Sequence, residues 1–114
     1  MRDLSKVFKA LSDVNRIRIL KMLEIRALCV CEITDVLELA TSTVSKHLSI
    51  LRDAEFIMDE KVGKWVYYRL NKSRTDTYAE QLMPLLAKWL PEDETVRKDV
   101  EKVNSVDRDA ICGG

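Results

Sequence analysis

Apolar positions recur along this chain with two periods, and the changes between them mark out its elements. Leu4, Val7, Phe8 and Leu11 lie three or four apart, one face of a first helix, with Asp3 placed to cap it. Ser12 and Asp13 interrupt that pattern and recap a second helix running to about Ile25, with Ile17, Leu20, Met22 and Leu23 as its apolar side. Ile33, Val36 and Leu37 repeat the spacing in a short third helix, and Val44, Leu48 and Leu51 in a fourth. The period then shortens. Residues 56–61 and 64–70 are β-prone runs around Val62-Gly63, and Val66, Tyr68 and Leu70 alternate with Trp65, Tyr67 and Arg69. Helical spacing returns from about Asp76, where Tyr78, Leu82, Leu85 or Leu86, and Trp89 form a stripe suited to a core or a dimer interface. Pro84 interrupts this stripe at a cost of about 3 kcal/mol in a regular helix interior, so a kink or a helix start near Met83 is expected. Pro91-Glu92-Asp93-Glu94 has the composition of a new helix N-terminus.

The outer face of the fourth helix carries Thr43, Ser45, Lys46, Ser49 and Arg52, all short hydrogen-bonders or cations. Two helices joined by a tight turn, the second so decorated, form a helix-turn-helix pattern. Its second helix is suited to a DNA major groove, where each base pair displays its own donors and acceptors. Ser42, Thr43, Ser45 and Lys46 are the candidate groove contacts; Ser49 and Arg52 are assigned to backbone or solvent. A hairpin behind such a motif is a wing, and Lys61 and Lys64 flank its tip, within reach of phosphates or a minor groove. The predicted fold is mainly α with a small β-hairpin, a winged helix-turn-helix. Residues 1–90 are assigned to DNA binding and dimerisation, and 91–114 to an acidic extension, partly helical or mobile. Ala40 is a poor N-cap, which leaves Thr41 or Ser42 to cap the fourth helix.

A length of 114 residues allows one domain, and 46% hydrophobic residues suit a small globular core. The longest apolar runs are too short to span a membrane, and the N-terminal stretch has no continuous apolar segment of the signal-peptide kind. Three cysteines without a secretion signal argue for reduced thiols in a cytoplasm. Zero net charge is awkward for a DNA binder, whose affinity comes largely from neutralised phosphates. The distribution removes the difficulty. Residues 1–25 hold six basic and three acidic side chains and 41–74 seven and four, whereas 92–109 hold four and seven. A homodimer doubles the basic footprint.

The sharpest chemical feature is the pair Cys29 and Cys31. Thiolates are soft ligands for thiophilic ions. On an extended segment such a pair shares one face, roughly 6.6 Å apart along the strand. In a regular helix it diverges by about 200°. Both sulfurs therefore grip one ion only where the start of the third helix is extended or becomes distorted, which suits a switch. The bland alternative is a pair of buried small hydrophobes. An enzyme is excluded: there is no CxxC, no plausible general base and no cleft-forming glycine cluster. A winged helix that binds protein is disfavoured by the basic reader and wing.

LSDVNRIRIL, CVCEI, STVSKHLSILRDA and GKWVYYRL, in that order, resemble the arsenical-resistance (ArsR/SmtB) family of metal-responsive winged-helix repressors, over about residues 4–70. The chain is most similar to the family's arsenite- and antimonite-sensing members. The resemblance implies a homodimer through the first and last helices, bound to double-stranded operator DNA and released when As(III) or Sb(III) binds Cys29 and Cys31. It implies no required cofactor. It also assigns His47 to a phosphate or base edge, the alternative being a half-buried histidine packed beside the turn. Trivalent arsenic takes three thiolates, and one branch of the family has its third cysteine where Thr34 stands here. Cys112 or a free small thiol is left to complete the set. The family's zinc sensors use Asp and His pairs on the last helix, but this chain has one histidine, His47, with Asp76 the nearest acid to such a site. Its cadmium and lead sensors add N-terminal cysteines, and none precedes Cys29. Cadmium or lead sensing and thiol-redox sensing stay as alternatives. The family also favours Gly where Glu55 stands, and helix-turn-helix turns often carry Gly where this chain has Leu37-Glu38-Leu39.

Overall fold

A computed structural model describes residues 1–72 and 76–106. Six helices surround a small sheet: α1 (Arg2–Ala10), α2 (Val14–Leu23), β1 (Leu28–Cys29), α3 (Val30–Leu37), α4 (Thr41–Asp53), β2 (Ile57–Val62), β3 (Trp65–Leu70), α5 (Tyr78–Lys88) and α6 (Glu94–Ser105). The sheet is antiparallel in the order β1-β3-β2, so the expected hairpin gains a third strand. Leu28 lies opposite Tyr68 and Cys29 opposite Tyr67. This strand is only two residues long, and no hydrophobic alternation announces so short an element.

The predicted apolar faces meet in one core. Ile33 and Val36 of α3, Val44 and Leu51 of α4, and Leu20 and Met22 of α2 are all fully buried. Asp13 caps α2 as expected: its Oδ1 accepts from the backbone N–H of Asn15 at 2.8 Å and of Arg16 at 3.3 Å. Asp3 does not cap α1, which begins two residues earlier than that cap implies, at Arg2 with Met1 at the N-cap; the aspartate sits in the first turn, where its charge still favours the helix dipole. Ala40 is the N-cap of α4, and neither Thr41 nor Ser42 takes that place. The first-turn N–H groups of α4 have no side-chain cap at this position.

Both non-glycine turn positions are left-handed. Glu38 closes α3 at φ 57°, ψ 43°, and Glu55 follows α4 at φ 68°. Around Glu55 the backbone N–H of Phe56 donates to the Leu51 carbonyl and that of Glu55 to the Arg52 carbonyl, both at 3.0 Å. This is a Schellman closure, with Phe56 and Leu51 both buried. Glu55→Gly removes the Cβ penalty of the left-handed conformation and is expected to stabilise the protein by about 1 kcal/mol, read as a raised urea midpoint with an unchanged slope. An unchanged or lowered midpoint speaks against stored strain at this residue.

In the wing, Gly63 has φ 62° and opens the two-residue turn Gly63-Lys64, as tight hairpins require. Only the base of the wing follows the predicted alternation. Tyr68 and Leu70 pack on the core, while Val66 is 37% exposed because the hairpin has by then left the body.

Helix α5 does not begin near Met83 but runs through Pro84 from a Thr77 cap, whose Oγ1 accepts from Glu80 N at 3.0 Å. Its C-terminal end is held by the buried Lys21, whose Nζ donates to the Leu86 and Trp89 carbonyls at 3.0 and 3.1 Å. The expected apolar stripe splits in two. Ala79, Leu82, Met83 and Leu86 face the core, whereas Tyr78, Leu85 and Trp89 are exposed. Helix α6 restarts after Pro91 on an Asp93 cap that accepts from Val96 N at 3.0 Å. It buries Val103 in the common core and packs on α2 and α3.

Candidate nucleic-acid interface and thiol site

Helix α4 shows its polar side to solvent because its apolar residues are used up inside. With Val44, Leu48 and Leu51 turned inward, helical spacing leaves Ser42, Thr43, Ser45 and Lys46 exposed on the opposite side. His47 sits on the flank of that face, half-buried. Its Nδ1 lies 3.2 Å from Nη1 of Arg16, a residue of α2. Arg52 pairs with Asp59 of the wing at 3.3 Å, and Lys6 of α1 with Asp53 at 3.3 Å. The reader is thus tied to neighbours on both sides by exposed ion pairs of small energetic weight. Lys61 is exposed near the end of β2. Lys64 is exposed in the wing turn, its ammonium 5.1 Å from the centre of the Trp65 ring.

The cysteine pair straddles a junction. Cys29 is the last residue of β1 and the N-cap of α3, extended at φ −79°, ψ 161° and 2% exposed. Cys31 is already in the first turn of α3, is half-buried and is disulfide-bonded, so the expectation of three reduced thiols does not hold for it; an oxidised Cys31 has no thiolate to offer an ion. The pair is therefore neither on a continuous strand nor at two regular helical positions. Thr34, at the place of a third cysteine, donates its hydroxyl to the Cys31 carbonyl at 2.8 Å. Cys112 lies outside the described residues, among which no three His, Cys, Asp or Glu side chains gather as a metal site.

One buried carboxylate organises this junction. Glu32, 2% exposed, accepts the Cys29 backbone N–H on Oε1 at 2.9 Å and Arg26 Nη1 on Oε2 at 3.1 Å. Arg26 also donates through Nη2 to the Val103 carbonyl of α6 at 3.0 Å. At the other end of α3, Lys102 of α6 reaches the Val36 carbonyl at 3.4 Å and Glu38 Oε2 at 3.3 Å. The supporting helix of the motif is thus held at both ends from α6. Sequence reasoning missed Glu32, although Cys-x-x-Glu before an apolar run is the capping-box pattern with cysteine in the place of serine. Arg26 and Arg16 had no sequence signal for the contacts that tie them to other elements, since Val103 and His47 lie 77 and 31 positions away.

These features match known regulators. The model of the bacterial regulatory protein, arsR family, matches residues 13–58, which takes in α2, the thiol junction and the whole helix-turn-helix. The arsenical resistance operon repressor of Escherichia coli is 34% identical over 115 residues, covering 96% of this chain and 88% of that protein. The chain belongs to the arsR family. The arsenic resistance transcriptional regulator ArsR1 of Pseudomonas putida is 47% identical over 66 residues, which cover 57% of this chain and about half, 52%, of that relative. Among solved structures, HlyU from Vibrio cholerae superposes with a TM-score of 0.62 at 29% identity, over 75% of this chain and 88% of that one. This arsR-family protein is accordingly a winged-helix transcriptional repressor, of a family that acts on operator DNA, and not an enzyme. No helix among its described residues is long and apolar enough to cross a membrane.

Proposed function

We propose that this arsR-family repressor is a cytoplasmic homodimer that leaves its operator when As(III) or Sb(III) binds the thiolates of Cys29 and Cys31. The observation that carries this reading is the position of the pair at the strand-to-helix junction that supports the reader helix. A pair of small thiols from solution first reduces the disulfide of Cys31 and is itself oxidised to a disulfide. Each As–S bond then forms as an As–OH bond breaks, the thiol proton leaving with the hydroxide as water, and arsenic stays trivalent throughout. Gripping one ion from both sides of the junction requires the first turn of α3 to deform. That strains the Cys29–Glu32 hydrogen bond and the Cys29–Tyr67 pairing with the wing strand. Two conformations of different DNA affinity then exist, and the ion favours the weaker by its differential affinity.

Ser42, Thr43, Ser45, Lys46 and His47 are the proposed groove contacts, and Lys61 and Lys64 the wing contacts. Phe8, 57% exposed on α1, and Tyr78, Leu85 and Trp89, between 43% and 49% exposed on α5, offer an apolar surface on two helices that pack together. We assign that surface to the second copy of the chain. Cys112 is the proposed third thiolate.

Fluorescence anisotropy of a labelled duplex from the protein's own upstream region tests this reading. Binding is expected to weaken as salt rises and to be lost at stoichiometric arsenite. Loss with cadmium or peroxide but not with arsenite replaces the ligand and keeps the fold; no binding to any duplex overturns the DNA reading.

A further inference from the structure

Arg16 lies outside the helix-turn-helix, yet its guanidinium is fixed against it. Its Nε donates to the Ala10 carbonyl at 2.8 Å and its Nη2 to the Lys9 carbonyl at 3.2 Å, both at the C-terminal end of α1. Two anchors in one plane leave the fork little freedom to turn. The remaining edge, Nη1, meets His47 Nδ1 at 3.2 Å. A guanidinium has five N–H donors and no acceptor, and it stays charged at any working pH. The contact is therefore a hydrogen bond only if Nδ1 carries its lone pair. The ring proton must then sit on Nε2, and the ring must be neutral, because an imidazolium would set N–H against N–H.

We infer that Arg16 is a positioning residue that fixes His47 of the reader helix as a hydrogen-bond donor at Nε2, aimed at an acceptor of the operator. The inference rests on the proposed DNA reading and deepens it. The ring is half-buried on the flank of α4, one turn from the exposed Thr43. The nitrogen that does not meet Arg16 is the one left to a partner outside the protein. A donor there donates to purine N7, guanine O6, thymine O4 or a phosphate oxygen. It does not suit the amino groups of adenine or cytosine, which are donors themselves. Arg16 thus sets which operator edges His47 can tolerate without touching DNA.

The chain has one histidine, so long-range proton–nitrogen correlation spectra of protein with labelled imidazole report this ring alone. In the free wild type the expected pattern is a protonated Nε2 and a lone-pair Nδ1; a protonated Nδ1, or two tautomers averaging, overturns the inference. In Arg16→Met the tautomers are expected to average. Operator affinity should fall roughly three- to ten-fold, as expected for one hydrogen bond. His47→Ala should weaken binding by a similar factor, and the two changes together no more than either alone. Additive losses overturn the positioning role. Modified duplexes identify the acceptor: 7-deazapurines remove N7, methylphosphonates a phosphate oxygen, 2-aminopurine in place of guanine removes O6, and 5-methyl-2-pyrimidinone in place of thymine removes O4. One substitution that weakens wild-type binding should have no effect on His47→Ala; if every substitution weakens both proteins equally, the operator contact is refuted. If wild type binds no duplex, the operator contact falls with the DNA reading, while the tautomer still decides the role of Arg16. The wild-type spectrum keeps the test decisive even should Arg16→Met fold poorly.

Discussion

With Cys29 and Cys31 both replaced by serine, the protein is expected to bind its operator as wild type does and to remain bound at arsenite concentrations that release wild type. A coupling of 1–3 kcal/mol between two sites corresponds to roughly a 5- to 150-fold loss of operator affinity. That loss should be seen for wild type and be absent from the double variant. The substitution is mild where it matters structurally. Cys29 is the N-cap of α3 with Glu32 three residues on, and Ser at that place completes a Ser-x-x-Glu capping box. Serine at position 31 enters a half-buried first turn but also removes the disulfide that Cys31 makes, so wild type and variant are compared with wild type reduced. Anisotropy titrations of both proteins, with and without arsenite, give the comparison. Arsenite release of the double variant removes the thiol pair from the mechanism. Cys112→Ser belongs in the same series. A higher arsenite requirement supports it as the third thiolate, and an unchanged response assigns that place to a small thiol from solution.

The second large effect concerns how α6 is held. Arg18 of α2 meets Asp99 of α6 through two bonds, Nε to Oδ2 at 2.9 Å and Nη2 to Oδ1 at 3.0 Å, and it also donates to Asn15 Oδ1 at 3.1 Å. The aspartate side chain is 4% exposed and the arginine 20%. The hydrogen bond to Asp99 is the main cause that raises the arginine above its ordinary value, against the opposing effect of burial. Asp99→Ala strands a guanidinium that cannot lose its proton, and a broken buried pair of this kind costs about 3–5 kcal/mol. That is a large share of the roughly 5–15 kcal/mol that holds a domain of this size together. Urea unfolding followed by circular dichroism measures it. Arg18→Met in the Asp99→Ala background should recover much of the loss, since no unpaired charge then stays buried. A loss below about 1 kcal/mol for Asp99→Ala would show that α6 moves off readily and leaves Arg18 to water.

What was legible in the sequence follows the range of each interaction. The inward faces of α2, α3 and α4 could be read because helical periodicity is local, and every residue needed lies within one or two turns. The cap at Asp13 and the helix restart after Pro91 belong to the same short range. The wing could be read from its alternation and its glycine. The caps expected at Asp3 and at Thr41 or Ser42 were misread within this short range; other misreadings arose where a distant partner overrode the local rule. Pro84 stays inside α5 because one lost backbone hydrogen bond is tolerable when the far end of the helix is tied down by Lys21, over sixty residues earlier in the chain. The Tyr78–Trp89 stripe looked single in one dimension, but the core reaches only one side of α5, so Leu86 is buried and Leu85 is not.

The site divides in the same way. Sequence alone determined the polar face of α4, the basic wing tip and the thiol pair, since residue type and spacing carry that chemistry. It left open whether Cys29 and Cys31 share a strand or a helix, and only the tertiary structure decided that they share neither. The two-residue β1 exists because β3 is there to pair with it, and α3 starts just after Cys29 because Glu32, steadied by Arg26 and α6, closes its first turn. The orientation of His47 was likewise beyond the sequence, for Arg16 is 31 positions away. Local periodicity specifies which face an element buries. Which polar groups meet across elements is fixed only when that burial brings them together.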